Sequence, residues 1–529
     1  MYTQPCLCYL SVQPLHNLRQ MDLSYSVNLK ELPDLSTAIN LRKLILSNCS
    51  SLIKLPSCIG NAINLEDLDL NGCSSLVELP SFGDAINLQK LLLRYCSNLV
   101  ELPSSIGNAI NLRELDLYYC SSLIRLPSSI GNAINLLILD LNGCSNLLEL
   151  PSSIGNAINL QKLDLRRCAK LLELPSSIGN AINLQNLLLD DCSSLLELPS
   201  SIGNATNLVY MNLSNCSNLV ELPLSIGNLQ KLQELILKGC SKLEDLPINI
   251  NLESLDILVL NDCSMLKRFP EISTNVRALY LCGTAIEEVP LSIRSWPRLD
   301  ELLMSYFDNL VEFPHVLDII TNLDLSGKEI QEVPPLIKRI SRLQTLILKG
   351  YRKVVSLPQI PDSLKWIDAE DCESLERLDC SFHNPEITLF FGKCFKLNQE
   401  ARDLIIQTPT KQAVLPGREV PAYFTHRASG GSLTIKLNER PLPTSMRYKA
   451  CILLVRIGDY GAHDRDKWLH VAFGVRSTTL GHIIYSGLTE HLYTFEIEEK
   501  VTSSELVFEF KVENGNHWKI GECGLRQLS

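Results

Sequence analysis

Basic charge is scarce in this chain. Its 529 residues carry 48 Lys and Arg against 59 Asp and Glu, a net charge of −11. Nucleic acid and anionic membrane are poor partners for such a surface. No apolar run reaches the roughly 18 residues that cross a bilayer, so no membrane insertion is expected. The start, MYTQPCLCYLSVQ, lacks the basic segment and clean apolar core of a signal peptide. No GxxxxGKS/T, GxSxG or HExxH pattern occurs, so no phosphate cradle, nucleophile elbow or zinc-hydrolase helix is written in the sequence. No enzyme and no cofactor is expected. Cysteine is plentiful, at 19, but paired spacing is missing, which points to a reducing compartment rather than a disulfide framework.

A repeat is what the chain does have. LRELDLYYCSSLIRLPSSIGNAIN, residues 112–135, returns with small changes at Leu136, Leu160, Leu184, Leu208 and Leu232, and earlier at Leu41, Leu65 and Leu88. In residues 112–135 the inward set is Leu112, Leu115, Leu117, Leu123, Leu126 and Ile130. Leu115 and Leu117 alternate with Glu114, Asp116 and Tyr118, which is strand periodicity. Pro127 cannot extend a ladder, and Gly131 and Asn132 turn the chain back. A single unit buries too little to fold alone, so neighbours stack. The expected fold is an α/β leucine-rich-repeat solenoid, a horseshoe with a parallel concave sheet, followed by a β-sandwich or jelly-roll domain.

One cysteine recurs at the same turn of each coil: Cys49, Cys73, Cys96, Cys120, Cys144, Cys168, Cys192, Cys216, Cys240 and Cys263. This single file suits small buried thiols directed at loop carbonyls. After Cys263 the pattern loosens: from Leu255 on, unit starts fall at 255, 276, 299, 320, 343 and 364, and Thr284, Phe307, Lys328 and Tyr351 take the cysteine slot. The unit at Leu364 recovers Cys372 and is expected to close the array. The division is a truncated segment at 1–17, about 16 repeat units over 18–377, and a β domain over 378–529. No polar cap precedes the first unit, which suggests a piece of a longer protein or a shortened gene product. In the tail a helix is expected at 398–407 and strands at 432–437, 450–457, 468–475, 491–497 and 505–512.

The outward strand positions are the main binding candidates: Arg94, Tyr95, Tyr118, Tyr119, Arg166, Arg167, Asp190, Asp191 and Tyr210. Neighbouring strands lie about 4.8 Å apart, which joins them into one patch. Tyr and Arg are enriched in binding hot spots, and otherwise uniform copies differ most here. A second stripe is acidic: Glu78, Glu101, Glu149, Glu173, Glu197, Glu221 and Asp245, interrupted by Lys54 and Arg125. It reads as a solvated flank against self-association. Cys380, His383 and Cys394 are too loosely spaced for zinc, so no metal is expected. His463, Asp464 and Asp466 read as an exposed loop rather than an acid–base site.

The LPSSIGNAINL units resemble the C-terminal half of plant intracellular Toll/interleukin-type nucleotide-binding leucine-rich-repeat immune receptors, especially the Arabidopsis receptors for downy mildew. So do FPEISTNVRALYLCGTAIEEVP at 269–290, FGKCFKLNQEARDLI at 391–405 and LPGREVPAYF at 415–424. Lys393 stands where relatives often have Asn. The resemblance implies a recognition region, in the cytoplasm with the nucleus as a second location, that binds a pathogen effector protein and controls defence signalling. It marks Pro416, Gly417, Glu419, Val420, Pro421 and Phe424 as a functional motif of the post-repeat domain. The NAD-hydrolysing Toll-type domain of full-length relatives is not in this sequence. A rival reading is a regulatory scaffold or decoy that binds the nucleotide-binding module of the same or a related receptor.

Overall fold

In the computed structural model the described residues are 15–83, 86–305, 314–325, 332–437, 441–457, 468–475, 480–485, 490–501, 503–512 and 518–528. The expectations at Phe307, Lys328, His463, Asp464 and Asp466 lie outside them. The chain divides into two compact units, Met1–Leu302 and Leu303–Ser529.

The first unit is a stack of coils. Each contributes one short strand, such as Asp67–Asp69, Lys90–Leu92, Glu114–Asp116, Ile138–Asp140 and Lys162–Asp164. All pair in parallel with their sequence neighbours, and Leu68, Leu91, Leu115, Leu139 and Leu163 fall in one register. Each of these leucines is fully buried. The return path is not α-helical. It is a five-residue 3-10 turn, Ser128–Asn132 in the coil starting at Leu112, entered through Pro127. Proline suits that entry because its fixed φ is already right and its missing N–H is not needed there. Gly131 sits in the turn because the next coil passes close by. A Cβ there would lie 2.3 Å from the Ser153 carbonyl oxygen.

Side chains on two lines fasten coil to coil. Cys120 Sγ donates to the Leu93 carbonyl (3.1 Å), Cys144 to Leu117 (3.3 Å) and Cys168 to Leu141 (3.3 Å). The thiols therefore meet a loop carbonyl, that of the leucine just past the previous coil's strand. Burial pushes the Cys73, Cys192 and Cys263 thiols up to about 12. All seventeen cysteines among the described residues are free. The second line is asparagine: Asn111 Nδ2 donates to the Ile86 carbonyl, Asn135 to Ile110 and Asn159 to Ile134, each at 2.9 Å. Thr284, in the cysteine slot of a later coil, bonds back into its own turn at Leu281 instead.

In the second unit Asn322–Asp324, Thr345–Ile347, Trp366–Asp368 and Thr388–Phe390 continue in parallel. The coil pattern expected to close at Cys372 thus runs one unit further. Cys394 bonds the Ala369 carbonyl at 3.0 Å, in the same way as the earlier cysteines, so it belongs to the ladder. His383 lies apart, against Asp362 at 2.9 Å. The helix is Gln399–Gln407, capped by Asn398, whose Oδ1 accepts from Ala401 N at 2.8 Å.

Strand Gln412–Pro416 is the hinge between two architectures. One edge pairs in parallel with Thr388–Phe390 and the other antiparallel with His491–Lys500. From there the sheet runs through Ser445–Arg456 and Trp518–Gln527 to His426–Ser429. A second antiparallel sheet holds Ser432–Lys436, Glu505–Val512, Trp468–Val475 and Leu480–Tyr485. Tyr448, Ile452, Tyr493, Phe495, Phe508 and Phe510 form part of the core of this domain. The fold is a repeat solenoid followed by a β-sandwich. The expected strands 468–475 and 505–512 occur as Trp468–Val475 and Glu505–Val512. Gln412–Pro416, His426–Ser429, Leu480–Tyr485 and Trp518–Gln527 were not foreseen.

Candidate functional site

The binding candidates are placed by how each coil leaves its strand. After Glu114–Asp116, Leu117 turns inward, Tyr118 faces out, and Tyr119 takes the left-handed conformation at φ 57° before Cys120. The same bend holds Tyr95 (φ 59°), Gly143 (80°), Arg167 (59°) and Asp191 (64°). A side chain in this region costs on the order of 1–2 kcal/mol. Inter-coil hydrogen bonds oppose that cost: Tyr119 N donates to the Asn142 carbonyl at 2.7 Å and Arg167 N to Asp190 at 2.8 Å. Arg94, Tyr95, Tyr118, Tyr119, Arg166, Arg167, Asp190 and Asp191 are thus turn residues just past the strands, not strand residues. Tyr210 alone of the nine lies within a strand, paired with Asn186 and Glu234, in a different column. The structure joins Arg94, Tyr95, Tyr118, Tyr119, Arg167 and Asp191 in one chain of contacts, and Arg166, Asp190 and Tyr210 lie within electrostatic range of one another.

The joined residues form a ridge. Tyr95 stacks on Tyr119 at 5.6 Å between centroids, and Tyr118 packs against Tyr119 at 4.7 Å. Arg94 lies 5.6 Å from the Tyr118 centroid and donates from Nε to Asp116 Oδ2 at 2.5 Å. Arg167 Nη1 reaches Tyr119 Oη at 2.6 Å across an entire coil. It can do so because the residue between is Gly143. A Cβ at Gly143 would sit 2.8 Å from Tyr119 Cδ2, so the ring occupies the space a side chain would take. Beyond Arg167 come Asp191 (3.7 Å) and then Asn215, whose Nδ2 donates to Asp191 Oδ1 at 2.9 Å.

Beside the ridge runs a row of buried carboxylates that the sequence reading passed over: Asp116, Asp140 and Asp164. Asp116 is held by Arg94. Asp164 takes both arms of Arg166, at 2.9 and 2.7 Å, and Lys162 at 3.4 Å. Asp140 accepts from Asn142 N at 2.9 Å, and no ion pair to it occurs among the described residues. Burial lifts its carboxyl to about 6, with Asp164 and Asp116 adding repulsion. Asp recurs at one position in successive coils, but of these three only Asp116 and Asp164 form an ion pair, with Arg94 and with Arg166 and Lys162.

The acidic stripe is exposed, and Glu101, Arg125 and Glu149 align across adjacent coils. Half-exposed Val100, Ile124, Leu148, Leu172 and Leu196 run beside it.

In the second unit the motif at 415–424 is largely an anchor. Pro416, Val420 and Phe424 are buried, while Glu419 is exposed and Gly417 and Pro421 are part-exposed. Val420 N donates to Glu522 Oε2 at 2.9 Å, and a Cβ at Gly524 would meet Val420 Cγ1 at 2.5 Å. A cleft of about 690 Å³ opens beside the motif, lined by Phe395, Arg402, Arg418, Glu490 and Leu492 among others. Lys393 is left-handed at φ 59°, a conformation that Asn tolerates better than Lys. Its N–H donates to buried His491 Nε2 at 2.8 Å, which ties the turn to the β domain.

Comparison with known proteins agrees with these two architectures. Residues 415–528 match the C-JID domain family, and residues 207–229 match the Leucine Rich Repeat family. The chain joins a leucine-rich repeat to a C-JID domain. It is 56% identical over 292 residues to probable disease resistance protein RPP1 of Arabidopsis thaliana, covering 53% of this chain and 24% of that protein. It is 52% identical over 162 residues to disease resistance protein TAO1 of the same plant, covering 28% and 13%. It is 38% identical over 421 residues to disease resistance-like protein DSC2, covering 53% and 35%. The chain thus spans about a quarter of the length of the first of these relatives. Among solved structures, a Leptospira interrogans repeat protein, LIC12759, aligns with a TM-score of 0.43 at 24% identity, over 75% of this chain and 95% of that one. The resemblance to plant disease-resistance receptors read from the repeat and tail motifs holds. Both matched domains are of a recognition type and carry no catalytic machinery.

Proposed function

We propose that this chain is the recognition region of a plant immune receptor and that the Tyr/Arg ridge holds a pathogen effector protein. The observation that carries the reading is the ridge itself. Near-identical coils place three tyrosines and two arginines in mutual contact on an exposed face. Aromatic and Arg clusters of this kind supply most of the energy of protein interfaces. Specific interfaces bury on the order of 1,200–2,000 Å², so the ridge need not be the whole of the binding surface. The repeat array, which runs through the coil of Cys394, and the C-JID domain at 415–528 then act as two recognition modules. The free, buried thiols favour a reducing cytoplasm or nucleus.

The test is co-precipitation of the chain with a panel of secreted effectors from a downy-mildew pathogen. The double variant Tyr118→Ala, Tyr119→Ala is expected to weaken capture of the cognate effector at least tenfold, about 1.4 kcal/mol. Unchanged capture removes the ridge from the site. The exposed acidic row favours one further reading, a scaffold that docks on the nucleotide-binding module of a receptor. Co-precipitation with that module when no pathogen protein is present distinguishes the two.

A further inference from the structure

One isoleucine stands on the surface ahead of each strand in the uniform coils, two positions before the buried leucine that opens the coil. Seven successive coils carry it, from Ile39 through Ile110 and Ile134 to Ile182, and each is 48–51% exposed. Packing does not ask for it. The next three coils take Thr206, Gln230 and Glu253 at the same place, all exposed. The turn is unaltered by the swap. The main-chain N–H of Ile134 donates to the Asn132 carbonyl at 2.8 Å, that of Thr206 to Asn204 and that of Gln230 to Asn228, both at 2.9 Å. The isoleucine file is thus apolar surface that the scaffold does without elsewhere, and extended apolar surface marks interaction sites. Its surroundings lack charge. From 56 to 207 the Pro-to-Asn segments of the coils contain one charged residue, Asp84. They also lack the Trp and basic side chains that settle a face on lipid.

We propose that the isoleucine file is a homodimer face, covered by the same file of a second copy of this chain. Three properties favour that occupant. The first is period. The isoleucines recur once per coil, about 4.8 Å apart where strands pair, and a second array of these coils brings a file of equal spacing. A two-fold dimer presents one patch to its own copy in this way. The second is charge. Two chains of net charge −11 repel, and this face is where neither brings charge. The acidic row follows each strand, whereas the file precedes it. The third is size. Seven coils span about 29 Å, and a standard interface takes about 800 Å² from each partner, a square of about 28 Å edge. The Tyr/Arg ridge also follows the strand, so pairing leaves it open, and the inference stands apart from the effector reading.

The test is sedimentation velocity of the full chain over a concentration series, with circular dichroism on every variant. Wild type is expected to pass from monomer to dimer as concentration rises. Ile110→Asp with Ile134→Asp should raise the dissociation constant at least tenfold. Ile110→Thr with Ile134→Thr should also raise it, and Thr206 shows that threonine keeps the turn. Thr206→Asp, on the same turn beyond the file, should leave the dimer unchanged. A wild-type chain that stays monomeric throughout overturns the proposal. So does a dimer indifferent to both isoleucine pairs, or one that Thr206→Asp breaks equally. A monomer whose file instead binds a receptor's nucleotide-binding module or lipid vesicles overturns it as well. The Tyr118→Ala, Tyr119→Ala variant should dimerise like wild type while losing effector capture, which separates the two readings. Loss of the dimer in that variant alone moves the contact to the ridge and overturns the isoleucine face.

Discussion

The coils starting at Leu112 and Leu136 differ at seven of their 24 positions, and only the first adds to the tyrosine ridge. At the bend after the strand the first reads Tyr118-Tyr119 and the second Asn142-Gly143. The scaffold underneath is the same: a fully buried strand leucine, a ladder cysteine and a five-residue turn. Two adjacent side chains per coil therefore set the relief of the face, and the neighbour's relief depends on them in turn. Tyr119 lies flat only because Gly143 leaves it room. The patch is a property of coil pairs rather than of single coils.

Exchanging the carboxylates of the two coils is expected to give the largest effect, with opposite signs. Asp116→Asn removes the charge that pairs with Arg94 and should destabilise the fold by about 1–3 kcal/mol. Asp140→Asn removes an uncompensated buried charge and should stabilise it by a similar order, about 1–3 kcal/mol at pH 7.5. The sign follows from the direction of the shift. A carboxyl raised to about 6 from its ordinary 3.8 makes the native state hold its proton more tightly. Wild type therefore gains stability as pH falls through 6 toward 4. The advantage of Asp140→Asn is full above pH 6 and gone below 4. Urea titrations of both variants across that range check it, and a stability gap independent of pH would contradict it.

A smaller effect is expected at the bend. Gly143→Ala places a Cβ in the left-handed region, at about 1 kcal/mol, and pushes Tyr119 off its seat. Thermal unfolding should show the loss in stability, and tyrosine fluorescence the displaced ring. Smallest is Arg167→Ala. It removes an exposed contact over Tyr119 and should cost about 0.5–1 kcal/mol. The loss should shrink as salt rises if the exposed Asp191 pair contributes.

Much of this architecture could be read without coordinates, because its rules are periodic. The leucine spacing named the inward residues, the single-file cysteines were recognised as free, and the helix expected at 398–407 occurs as Gln399–Gln407. The end of each strand was not legible. Alternation tells which residues point inward but not where the ladder hydrogen bonds stop, and so Tyr118 and Tyr119 were taken for strand residues. The asparagine ladder was missed because Asn135 reads as an ordinary turn residue; its bond to Ile110 depends on a neighbour 25 residues away. The coil around Cys394 was missed because Thr388–Phe390 is buried throughout and has lost the polar alternation of the earlier strands. The strand Trp518–Gln527 carries Gly521 and Gly524, which weaken its strand signal. In the sandwich Gly524 gives Val420 and Phe424 room to approach the sheet. Within the candidate site, the tyrosines and arginines were visible as the variable positions. Asp140 was not, because what distinguishes it is the absence of a cation that its sister residues have.

In the uniform coils the cysteine and asparagine side chains reach toward the coil before, and each finds there a leucine or isoleucine carbonyl presented alike from coil to coil. The fasteners are thus generic and all point one way, like the studs of interlocking bricks. Inserting or removing one whole 24-residue brick leaves both new seams with a full set of bonds. A gene carrying such an array can lengthen or shorten its recognition face by unequal exchange without passing through an unfoldable intermediate. Selection is then free to act on the two residues at each bend.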